Sequence, residues 1–130
     1  MFKVVAQQRA WWPITFAGVT EEGVVVENRF DVRFTILDED ENDAFMADAA
    51  SLLGNNVPEK WKGKPSTHVM AEFVQRIACD WRGVAEENDD PIKFTEENLR
   101  RVMRVPNAFK GVMAGYVACR SGRAEARAGN

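Results

Sequence analysis

His68 is the one histidine of the chain, and Cys79 and Cys119 are its two cysteines. These three side chains are the first candidates for metal or nucleophilic chemistry. A zinc site needs three or four such ligands at close spacing, and His68 has no second histidine or cysteine at that spacing, so no metal site assembles locally. Residue types alone leave a Cys–His nucleophile pair open. However, Cys79 falls beside the apolar stripe of one expected helix and Cys119 within another, where cysteine acts as a small buried residue. Asp38-Glu-Asp-Glu-Asn-Asp43 begins like a calcium loop, with oxygen ligands at alternate places. Such a loop needs Gly at its sixth place and Glu at its twelfth, and Asp43 and Ala49 stand there instead. A helix N-terminus solvated by acids is the better reading. With no Gly-rich phosphate loop, no Gly-x-Ser-x-Gly elbow and no His-Glu-x-x-His, the chain reads as non-enzymatic, with no cofactor and no metal.

Charge points in the same direction. Of the 17 basic and 20 acidic residues, positions 1–98 hold 10 and 19, and positions 99–130 hold 7 and 1. The body is acidic and the C-terminal part basic. Gly and Ala dilute the arginines after Ser121, and no aromatic residue is interleaved to stack on bases, so a solubilising or partner-contacting tail is favoured over nucleic acid. The acidic run Glu86-Glu-Asn-Asp-Asp90 reads as an exposed loop. Two distant cysteines fit a reducing, cytoplasmic setting, and no apolar run approaches the roughly 20 residues of a membrane span or the h-region of a signal peptide.

The elements that position these residues follow from periodicity. From 24 to 36, Val24, Val26, Phe30, Val32, Phe34 and Ile36 share one parity, with polar residues on most of the other, which predicts a long strand with one buried face. Trp12, Ile14 and Phe16 alternate before it, and Gly18 to Gly23 supplies a reversal, so the two form an antiparallel hairpin. Pro13 belongs at a strand start or on an edge. By parity Trp12 faces inward and Trp11 outward, which makes Trp11 the candidate aromatic anchor for a partner. A further short strand is expected at Lys3 to Ala6.

Helices follow. Asp38 and Glu41 have the spacing of a capping box, and helix 1 is expected over 39–53, with Phe45, Ala49, Leu52 and Leu53 inward and a stop at Gly54-Asn-Asn. Residues 55–65 read as a loop whose Trp61 packs back onto the core. Ser66 or Thr67 caps helix 2, with Met70, Phe73, Val74, Ile77 and Trp81 at intervals of three and four, and Arg82-Gly83 ends it. After a loop over 82–94, Thr95 caps helix 3, carrying Leu99, Val102 and Met103. Pro106 starts helix 4, whose stripe is Phe109, Val112, Met113, Tyr116 and Val117. Gly111, Gly115 and Cys119 place small side chains along helix 4, suited to seating it on helix 2 or the sheet. The expected architecture is α+β: an N-terminal antiparallel hairpin or small two- to three-stranded sheet followed by about four α-helices. One domain covers 1–121, and a flexible basic tail covers 122–130.

The order of these features carries a resemblance. Ile77-Ala-Cys-Asp-Trp81-Arg-Gly83-Val84, an acidic loop, Pro91-Ile-Lys-Phe94-Thr95-Glu-Glu-Asn98-Leu99, then Pro106 and a helix ending near Tyr116, resembles the tail assembly chaperones of long-tailed bacteriophages and prophages. In that family a helix runs into a Trp-x-Gly-Val turn, and a loop closes with Phe-(Ser/Thr)-x-Glu-Asn-Leu. Trp81, Gly83, Phe94, Thr95, Asn98 and Leu99 match this pattern and are expected to hold the fold. The resemblance implies a non-enzymatic protein of the host bacterial cytoplasm that binds the tape-measure protein and keeps it soluble while the major tail tube protein polymerises around it. It also leaves room for a homo-oligomer and for a longer, frameshifted form. Neither nucleic acid nor membrane is an expected partner. The rival readings are a tail-completion or connector component of the virion, and a small DNA-binding regulator using Arg100-Arg101-Val-Met-Arg104.

Overall fold

The computed structural model describes residues 1–53 and 59–122. Strands β1 (Gln8–Val19) and β2 (Val25–Ile36) form the hairpin, and α1 (Glu39–Leu53) follows. A single 3-10 turn at Glu59–Trp61 leads to α2 (Ser66–Ile77), β3 (Ala78–Arg82), α3 (Glu96–Met103) and α4 (Ala108–Ser121). The class is α+β, a three-stranded antiparallel sheet in the order β1-β2-β3 with four helices.

The hairpin register pairs Trp12 with Val32 and Ile14 with Phe30, so one parity of both strands forms a continuous apolar face. Pro13 lies on edge strand β1, where a missing N–H is tolerated. The parity reading holds only for the half of the hairpin next to the helices. Phe30, Val32 and Phe34 are buried, but Val24 and Val26 are exposed together with Val19 and Val25, because the tip extends past anything that could cover it. The expected strand at Lys3 to Ala6 is absent. Residues 1–5 have no regular structure and are exposed, and they run into β1 without a turn that could fold them back along its free edge.

The largest correction concerns helix 2. It stops at Ile77, and Ala78–Arg82 is a strand on the free edge of β2, with Val32 opposite Trp81 and an irregularity between Arg33 and Phe34. A bare edge on a twelve-residue strand demands a partner, and this need overrides helical continuation. The caps differ as well. Pro65, not Ser66 or Thr67, is the N-cap of α2, and no side chain caps it. Pro106 lies before α4, whose N-cap Asn107 adopts a left-handed conformation (φ 70°) that Asn tolerates better than most residues. Val117 is exposed rather than part of the stripe. Where side chains do cap, the geometry is regular. The Glu41 N–H donates to Asp38 Oδ1 at 2.8 Å, and the Asp38 N–H donates to Glu41 Oε1 at 3.2 Å. The expected stop at Gly54 to Asn56 and the tail beyond Gly122 lie outside the described residues, and nothing is said of the Leu53 side chain.

Aromatic rings link the layers in two rows. One runs Trp61, Phe73, Phe45, Tyr116, Phe34, with centroids 5.0, 5.5, 5.7 and 5.6 Å apart. The other runs Phe16, Phe30, Trp81, Phe94, at 6.2, 6.1 and 5.1 Å. Tilted and edge-to-face contacts of this kind add about 0.5–1.5 kcal/mol each to the area they bury. Helix α4 lies against β1 through its small residues: a Cβ at Gly111 would come within 2.7 Å of the Thr15 carbonyl oxygen, and one at Gly115 would strike the Ile14 side chain. The strip of small residues is therefore a seat for the sheet.

Candidate functional site

Trp81, Gly83, Phe94, Thr95, Asn98 and Leu99 assemble into one latch. Trp81 is buried at the end of β3, and its indole Nε1–H donates to the Ile92 carbonyl oxygen at 2.7 Å. Phe94 meets the same indole edge-on. Gly83 turns the chain out of β3 at φ +85°, a conformation that favours glycine. Thr95 Oγ1 accepts from the Asn98 N–H at 3.1 Å and caps α3, while Asn98 Nδ2 donates to the Lys93 carbonyl at 3.0 Å and Leu99 is buried below. Together these contacts close the loop over 83–92 on itself, aided by a bridge between Ala85 and Pro91.

That closed loop forms one side of an open groove of about 460 Å³. The sheet supplies Phe16, Arg29 and Phe30, the loop supplies Val84, Glu86, Glu87 and Ile92, and the last turn of α3 and the residues after it supply Arg101, Val102 and Val105. Its lining is mostly apolar and its rim charged. Arg101 grips both carboxylate oxygens of Glu86 with its two terminal nitrogens. This guanidinium holds the Glu86 carboxyl below the ordinary glutamate range, chiefly by hydrogen bonding, and is itself pushed further toward its charged form. The valine-rich hairpin tip lies next along the same two strands, with Val19 and Val25 about 70% exposed (70% and 72%) and paired with each other.

The sequence does not single out this groove, because its walls come from elements far apart in the chain. One signal was nevertheless present. Val24-Val25-Val26 is apolar on both parities, which a strand with one buried face does not require.

Trp11 does not stand free as an aromatic anchor. It lies on the sheet face away from the helices, half-buried, with the Arg82 guanidinium 4.3 Å above its ring. Arg82 is fixed in turn by Asp31, at 3.0 Å. Cys79 is exposed on β3, where its thiol contacts the Arg33 carbonyl at 3.5 Å, because the strand replaces the helix in which it was expected to be buried. Cys119 is buried, and burial pushes its thiol up, away from the thiolate that nucleophilic chemistry needs. His68 lies in the first turn of α2. Among the described residues no group of three or more metal-ligating side chains comes together, and no helix is long and apolar enough to cross a membrane. Of the arginines in the regulator reading, Arg100 is held by Glu96 at 2.6 Å and Arg101 by Glu86 and Asn98.

Set against known protein families, curated proteins and solved structures, the chain matches none.

Proposed function

We propose that this protein is a non-enzymatic tail assembly chaperone of a long-tailed bacteriophage or prophage, acting in the host cytoplasm by holding the tape-measure protein in soluble form. The observation that carries the reading is the apolar groove between Phe16, Phe30 and Val102, with exposed Val26 farther along the same face of the hairpin. An amphipathic helix offers apolar side chains at intervals of three and four, and a groove lined this way and rimmed by charges takes up such a stripe. The latch built on Trp81, Phe94 and Thr95 supports the reading by fixing one wall of the groove, so the binding surface exists before the client arrives. Pre-formed surfaces lose less ordering entropy on association.

Holding, in this account, is mass action. A chaperone that binds the exposed stripe of the client competes with aggregation of that stripe, and the acidic body keeps the complex dispersed by charge. Co-expression with the tape-measure protein of the same genome tests it, read as soluble client and co-elution through a tag on this chain. A client that becomes soluble and co-elutes supports the role. A client that stays insoluble beside a folded partner counts against it.

A further inference from the structure

We propose that the outer face of the sheet docks a helix of a partner protein, one that opens with acidic residues and continues as an apolar stripe. No side chain of this face is buried, because the helices lie on the other one. The two long strands divide it lengthwise. Along β1 the outward side chains are Trp11, Pro13, Thr15, Ala17 and Val19, an almost wholly apolar column about 26 Å long. Arg33 stands opposite Trp11 on β2, and Val25 opposite Val19. An apolar column of this length in contact with water calls for a cover, and a sheet with helices on one face accepts a further layer on the other. A helix about 10–12 Å wide covers both strands, and about 17 residues of it match the column.

Charge selects the occupant and its direction. Arg9 lies opposite Thr35, so Arg9 and Arg33 are diagonal neighbours at the Trp11 end, about 7–8 Å apart. Neither makes an ion pair among the described residues, and Arg9 donates only to the Gln7 side chain, at 2.8 Å. The carboxylates nearby are engaged elsewhere. Asp31 holds Arg82 at 3.0 Å, which in turn lies over the Trp11 ring, and Asp80 Oδ1 accepts the Trp81 N–H at 2.8 Å. The opposite end of the face, at Val19 and Val25, is exposed and apolar. Two carboxylates one helical turn apart, with about 5–6 Å between their Cβ atoms, reach both free guanidinium groups. Acidic residues also suit the first turn of a helix, so the partner helix starts over Arg9 and Arg33 and runs toward the hairpin tip. A single-stranded nucleic acid fits less well, because its continuous phosphates would meet Glu27, Asp31 and Asp80 along the way. The columns of this face share no residue with the lining of the groove, so this docking stands apart from the holding role.

The test titrates the full chain into two fluorescein-labelled helical peptides of about 18 residues and follows anisotropy. Both are Ala-rich with a leucine stripe. One carries Glu at its second and sixth places and the other carries Lys there. No client enters the experiment, so its failure and that of the chaperone reading are told apart. The wild type is expected to bind the Glu peptide about tenfold more tightly than the Lys peptide, near 1.4 kcal/mol. Arg9→Glu/Arg33→Glu, at the wild-type melting temperature, reverses that preference, a gain of binding that a merely damaged fold does not give. Val19→Asp, at an exposed position, weakens both peptides, and the groove variant Val105→Asp changes neither. Equal binding of the two peptides, or no binding at high micromolar concentration, overturns the proposal, as does binding lost with Val105→Asp and kept with the sheet variants. Displacement of the Glu peptide by oligo-uridine assigns the face to nucleic acid instead, and an isotherm that falls off as the chain covers its own face assigns it to a second copy; either overturns the proposal.

Discussion

The indole N–H of Trp81 donates to the carbonyl oxygen of Ile92 across the base of the acidic loop, at 2.7 Å. This one bond ties the end of β3 to the segment that enters α3. Trp81→Phe keeps most of the ring packing against Phe30 and Phe94 but leaves the carbonyl without its donor, and is expected to cost about 1–3 kcal/mol. Trp81→Ala also removes the ring and costs about 3–5 kcal/mol. Denaturant unfolding of both variants checks the order and the gap.

Gly111→Ala is expected to destabilise although alanine is the better helix former. The propensity gain is about 1 kcal/mol, while the new methyl meets the Thr15 backbone oxygen, which no rotamer change can move, at an expected cost of about 1–3 kcal/mol. Thermal unfolding should show a lower melting temperature. An unchanged or raised value would mean that α4 is not seated on β1 in this way.

Asp38→Ala removes one half of the reciprocal cap at the start of α1 and should cost about 0.5–2 kcal/mol. Asp38→Asn, which retains an acceptor, should cost less, and chemical denaturation separates the two.

Acid should loosen the contact between Trp61 and α2. Lys64 hydrogen bonds to Glu72 at 2.9 Å and holds its carboxyl below the ordinary glutamate range, assisted by the Trp61 indole N–H at 3.0 Å. A carboxyl lowered in the folded state contributes stability that is fully present above its unfolded value, about 4.3, and is lost as pH falls through the folded value. Stability should therefore decline below about pH 4, and Glu72→Gln should flatten that slope. The Trp61 indole N–H resonance, followed by NMR from neutral pH downward, should move with the same titration.

The hairpin, the bounds of α1 and its cap, the inward packing of Trp61 and the Thr95 cap were legible because each rests on neighbours in the chain. The third strand was not. Ile77 and Trp81 stand four apart, which is as compatible with a helix as with anything else, and no Gly or Pro marks the change at Ala78. Its cause is the unpaired edge of β2, a demand made from a distant part of the sequence. The groove was hidden for the same reason, since Phe16, Val84 and Val102 meet only after α3 packs near the sheet. Trp11 was placed on the correct face, but Arg82, which covers it, comes from the strand that the helical pattern concealed.

The most direct measurement is a side-by-side co-expression of the tape-measure protein with the wild type and with Val26→Asp/Val105→Asp, two exposed positions at the tip and the groove. Both forms should melt alike, because changes at such positions usually stay within about 0.5 kcal/mol. The account predicts soluble, co-eluting client with the wild type and client in the pellet with the variant. Client that is equally soluble with both, or insoluble with both while each is folded, would contradict it.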